Sequence, residues 1–80
     1  MENQEISRVL AQRFIERAEF LNYKGKKRDN AALDFFTGAA SLAQVTGQLP
    51  LAQHLATLCA ILISVRGFVA VKEIANKEAA

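Results

Sequence analysis

The chain is short of the residues that staple small proteins together. It has one cysteine, Cys59, one histidine, His54, one proline, Pro50, and no tryptophan. A single cysteine excludes an intramolecular disulfide, and with one histidine it falls short of the four ligands of a structural zinc site. Cys59 suits a reducing compartment and reads as a small buried hydrophobe. No paired carboxylates interrupt the apolar middle of the chain, which leaves acid–base hydrolysis without candidate residues. His54 has no Ser, Asp or Cys motif around it, and there is no GxxxxGK[ST] motif to cradle a nucleotide. These absences predict a non-enzymatic protein with no metal and no cofactor. The first residues, MENQEISR, lack a basic segment followed by an apolar one, so no signal peptide is expected and the cytoplasm is the expected location.

Charge is also missing, over one long stretch. Of 18 charged residues, 13 precede Phe35 and five follow Val65, so residues 35–65 form a run of 31 without a formal charge, 19 of them apolar. A membrane-spanning helix needs about 20 consecutive apolar residues. Here Gln44, Thr46, Gly47, Gln48, Pro50, Gln53 and His54 break the run. The most apolar window, residues 55–71, carries Arg66, which costs roughly 2.5–3.5 kcal/mol near a helix centre. The run is read instead as a helical hairpin that is apolar on more than one side, and such helices lie inside something.

Eighty residues allow one small domain and no repeat array. At 51% hydrophobic with a net charge of +2, the chain is not compositionally disordered. A domain of this size buries only about 60% of its unfolded surface. Without disulfides or metal, oligomerisation is the usual remaining support. The expected assembly is therefore a homodimer or higher oligomer.

The periodicity predicts an all-α fold of three helices, with helices 2 and 3 as an antiparallel hairpin and helix 1 packed across them, in an oligomeric bundle. The first helix spans about residues 3–21, where Ile6, Val9, Leu10, Phe14, Ala18 and Leu21 recur at three and four. A basic loop follows over 22–30, broken by Gly25, with Asp29 or Asn30 as the next N-cap. The second helix covers about 31–46 and ends at Gly47. A mid-helix glycine, Gly38, costs about 1 kcal/mol relative to Ala and calls for close approach of another backbone. The third helix runs from Pro50 to about residue 76, with Gly67 as a possible kink or close crossing. Its heptad-like seam, Leu51, Leu55, Leu58, Leu62, Val65 and Val69, is expected to form the oligomer interface.

Two features are candidates for ligand chemistry. Tyr23, Lys24, Lys26, Lys27 and Arg28 place four cations and an aromatic in one short segment, suited to a phosphate, a nucleic-acid backbone or an acidic protein surface; the plainer reading is a solvated loop. Arg66 interrupts an apolar stretch. It either pairs with a carboxylate such as Asp34, snorkels at an interface edge, or completes an anion site with its bidentate fork.

Phe36, Ala39, Ala40, Ala43, Gly47, Ala52, Ala56 and Cys59 resemble the small-residue spacing of one tetratricopeptide hairpin. The bulky aromatics of that pattern are mostly absent, so the match is read as convergent hairpin packing. The run ALDFFTGAASL over residues 32–42, the GKKRDN segment and the Arg66-Gly67 pair resemble small helical proteins carried by phages and other mobile elements, over roughly residues 13–74. That resemblance implies a stoichiometric binder that blocks a host factor or sequesters a small signal. Two functions are thus expected to compete: a protein-binding module that inhibits or adapts a macromolecular partner, and an anion-binding module for nucleic acid or a small nucleotide.

Overall fold

The computed structural model describes residues 3–64 and 67–76. These residues form four α-helices: α1 (Asn3–Phe20), α2 (Gly25–Val45), α3 (Leu49–Ser64) and α4 (Gly67–Asn76). The all-α class agrees with the sequence reading, but the count of three helices does not.

Helix α1 buries Ser7, Ala11, Phe14 and Ala18, a line spaced four, three, four. These are mostly small side chains, so neighbouring helices come close, while Ile6, Val9 and Leu10 flank the line half-buried. The Ser7 hydroxyl is satisfied by donating to the Asn3 carbonyl at 2.9 Å. The helix closes with Asn22 in the left-handed region, at φ 59°. The Tyr23 N–H bonds back to the Ala18 carbonyl and the Asn22 N–H to that of Glu19. This double bond pattern is the Schellman motif, and Asn tolerates its left-handed position better than other non-glycine residues.

Helices α2 and α3 form the expected antiparallel hairpin. Gly47 at φ 79° follows Thr46, the C-cap of α2. The Gln48 N–H reaches the Ala43 carbonyl at 2.8 Å and the Gly47 N–H that of Gln44 at 3.1 Å, a second Schellman closure. Across the hairpin the Thr37 hydroxyl lies 3.7 Å from the Cys59 thiol, a pairing symmetric about the Gly47–Gln48 turn.

Three expectations are corrected here. First, residues 50–76 are not one helix, because α3 ends at Ser64 and α4 begins at Gly67. A straight 27-residue helix would be about 40 Å long, more than the molecule's largest extent of 33 Å. Breaking it lets α4 fold back, and α1 packs chiefly on α4 rather than across the hairpin. The Gln12 side-chain amide donates to the Ala75 carbonyl at 3.3 Å across that pair. Second, the loop expected over 22–30 ends at Lys24, since α2 starts at Gly25. The cations therefore stand on the first turns of a helix. Third, the seam assigned to an oligomer interface is largely internal. Leu55, Leu58 and Leu62 are buried in the chain's own core and Leu51 is half-buried against it. Val69 is on α4 and exposed, and Val65 lies outside the described residues.

The core lies where the two helix pairs meet. Phe36, Leu55 and Val71, from three different helices, are its largest fully buried apolar side chains. Phe35 bridges to α1, its ring centroid 5.6 Å from that of Phe14. Among the described residues no helix is long and apolar enough to cross a membrane.

Candidate functional site

The basic segment is split by helical geometry. Successive residues on a helix turn by about 100°, so residues two apart point to nearly opposite sides. Lys26 and Lys27 face outward and are exposed, whereas Arg28 turns inward. The Arg28 guanidinium carbon stands 3.8 Å from the centroid of the Phe68 ring, close enough for a cation–π contact. The next residue continues the same link: a carboxylate oxygen of Asp29 accepts a hydrogen bond from the Phe68 N–H at 3.0 Å. That N–H belongs to the first turn of α4, which has no partner of its own within the helix. Arg28 and Asp29 thus tie the start of α2 to the start of α4, and Arg28 is a structural residue here.

The remaining cations frame a shallow depression at the corner between α1 and α2. One part, about 480 Å³, is lined by Tyr23, Lys26, Lys27, Asn30, Ala31 and Asp34. An adjoining part, about 380 Å³, shares Tyr23, Ala31 and Asp34 and adds Phe14, Arg17, Leu21 and Phe35. The Lys27 ammonium lies 5.1 Å from the Tyr23 ring centroid. Lys24 is the N-cap residue of α2 and makes no side-chain cap. The exposed cations here are Lys24, Lys26, Lys27 and, from α1, Arg17, against one exposed carboxylate, Asp34. Sequence reading missed Arg17. Its arrival depends on the Asn22 turn, which brings the last turn of α1 beside the first turn of α2.

The electrostatics of this corner are unusual for a helix start. Acidic residues normally occupy the first turn, where the peptide dipole is positive, and a cation there is unfavourable by about 0.3–1 kcal/mol. Helix α1 follows the rule with Glu5, while α2 has no acid in its first turn. Arg66 lies outside the described residues, and so does its proposed pairing with Asp34. His54 is half-buried on α3. The described residues contain no group of three or more His, Cys, Asp or Glu placed to hold a metal ion.

A second surface is apolar. Leu42, Val45 and Leu49 surround the α2–α3 turn and are 65%, 83% and 56% exposed. They form a tip of three aliphatic side chains at one end of the hairpin. Ile63, at the far end of α3, is 70% exposed.

Among the described residues these features define an all-α arrangement of four helices with a basic corner and an apolar hairpin tip. The chain matches no protein-family model, no curated protein and no solved structure.

Proposed function

We propose that the protein is a small, non-enzymatic, homo-oligomeric binding protein that acts stoichiometrically on a macromolecular partner, with the hairpin tip as the contact. The observation that carries this reading is the exposure of Leu42 and Val45 at the last turn of α2. Exposed apolar side chains gathered at the end of the hairpin, with no formal charge from Phe35 to Val65, are the kind of patch that a protein surface covers. The resemblance to small proteins of phages and mobile elements makes inhibition of a host factor the form this binding would take. The cytoplasm is the proposed location.

The basic corner favours a second reading, an anion-binding module for nucleic acid or a small nucleotide. Its specific support is the set of exposed cations at a helix start that carries no acid in its first turn. Salt separates the two. A partner held by the tip stays bound at high salt, survives Lys26→Glu with Lys27→Glu, and is lost with Leu42→Asp and Val45→Asp. Binding that falls steeply as salt rises, and that the lysine variants abolish while the tip variants leave it intact, assigns the function to the corner instead.

A further inference from the structure

Helix α3 has two apolar seams, and only one of them faces the core. The inner one is Leu51, Leu55, Leu58 and Leu62. On the opposite side Leu49, Gln53, Ala56, Ala60 and Ile63 are all exposed. Their spacing is four, three, four, three, which keeps all five on one face over four turns and is the spacing of a coiled-coil contact. The face ends in two bulky aliphatics, has alanines at its middle, and contains no charge.

We infer that this outer face of α3 is the seat of a second copy of the chain, packed antiparallel about a two-fold axis near Ala56. The inference deepens the homo-oligomeric part of the proposed function and names its surface. Two observations point to this occupant. The first is charge matching. The exposed charges stand elsewhere: Arg13, Glu16, Arg17 and Glu19 on α1, Lys24 at the N-cap of α2 with Lys26, Lys27 and Asp34 in its first half, Lys72 and Glu73 on α4, while neither α3 nor the exposed second half of α2 carries one. The α3 face can be covered without stripping water from a charge only by a surface as neutral as itself, and a second copy supplies one. The second is shape. Antiparallel pairing centred on Ala56 sets Leu49 opposite the second copy's Ile63 at both ends. The alanines between them let the helix axes approach toward the short end of the usual 8–10 Å range. Gln53 then falls beside the second copy's Thr57, whose hydroxyl already donates within its own chain to the Gln53 carbonyl, at 3.0 Å, and keeps lone pairs to accept.

Sedimentation of the full chain tests this. The wild type is expected to run as a dimer at tens of micromolar. Ala60→Glu and Ile63→Lys each bury an unpaired charge in the contact and are expected to raise the dimer dissociation constant by on the order of 100-fold or more. Both positions are exposed in the single chain, so helical circular dichroism is retained, and Val69→Lys, exposed on α4, leaves the dimer intact. Orientation is read in a Cys59→Ala background. Mixing Leu49→Cys with Ile63→Cys chains under mild oxidation is expected to give the mixed disulfide, and Ala56→Cys to cross-link to itself. A dimer that survives both charge variants overturns the face while leaving self-association standing. A wild type that stays monomeric to several hundred micromolar overturns both, and the tip's binding of a partner then stands or falls on its own salt and variant profile.

Discussion

At the scale of single residues, the structure turns two members of the basic run into a clasp. Asp29 holds the first turn of α4 through the Phe68 N–H, and Arg28 covers the Phe68 ring. Asp29→Ala removes the acceptor and is expected to cost about 1 kcal/mol, in the range of a lost helix cap. Asp29→Asn keeps an acceptor and is expected to stay within a few tenths of wild type by the same measure; urea unfolding of the three proteins side by side checks both values. The Arg28–Phe68 contact is isolated by a double-mutant cycle with Arg28→Ala and Phe68→Ala. A coupling of about 0.5–1 kcal/mol is expected for a partly exposed cation–π pair, and a coupling near zero would show that the two side chains are merely adjacent. Neither role was legible beforehand. A charge pattern marks Lys24 to Arg28 as basic, but which cation turns inward depends on α2 starting at Gly25, and on what then lies beside it.

At the scale of elements, glycine chemistry separates what the sequence reveals from what it leaves open. Gly47 was legible as the end of α2, because only a residue free of Cβ strain readily takes φ 79° after a helix. Gly47→Ala is expected to destabilise by about 1 kcal/mol or somewhat more. Gly38 was read as the mark of a close backbone crossing, yet a Cβ built there meets nothing within 4 Å. The glycine is therefore an unrelieved weakness of α2 within the single chain. Gly38→Ala is expected to stabilise by about 0.5–1 kcal/mol through helix propensity alone. Thermal unfolding of the pair should move in opposite directions; a Gly38→Ala variant less stable than wild type would mean that a neighbour from another chain occupies that space. The same reasoning explains the miscounted helix. The apolar rhythm runs from Leu51 to Val69, and only Arg66 and Gly67 mark a weak point in it. What periodicity does not record is that α4 packs on α1, where Gln12 donates to the Ala75 carbonyl.

At the scale of the whole molecule, periodicity shows that a face is apolar but not which chain covers it. Helix α3 has two such faces. The richer one, with Leu55, Leu58 and Leu62, was matched to a second chain because eighty residues looked too few to enclose it. The fold encloses it by bringing α1 and α4 together against the hairpin. The shortage of core is thus met inside the chain, and what remains for assembly is the thinner outer face. Self-association through that face links stability to concentration, since a partner that binds only the folded state shifts unfolding by mass action. Two chains of 80 residues unfolding together have an entropy of about 0.34 kcal/mol/K, and a tenfold rise in concentration is worth about 1.4 kcal/mol. The midpoint is therefore expected to climb by about 4 °C for each tenfold increase in protein. For Ile63→Lys, whose folded chain stands alone, the midpoint should not move with concentration. Scanning calorimetry over two decades of concentration reads both slopes, and a flat wild-type slope would return the stability of this fold to the single chain.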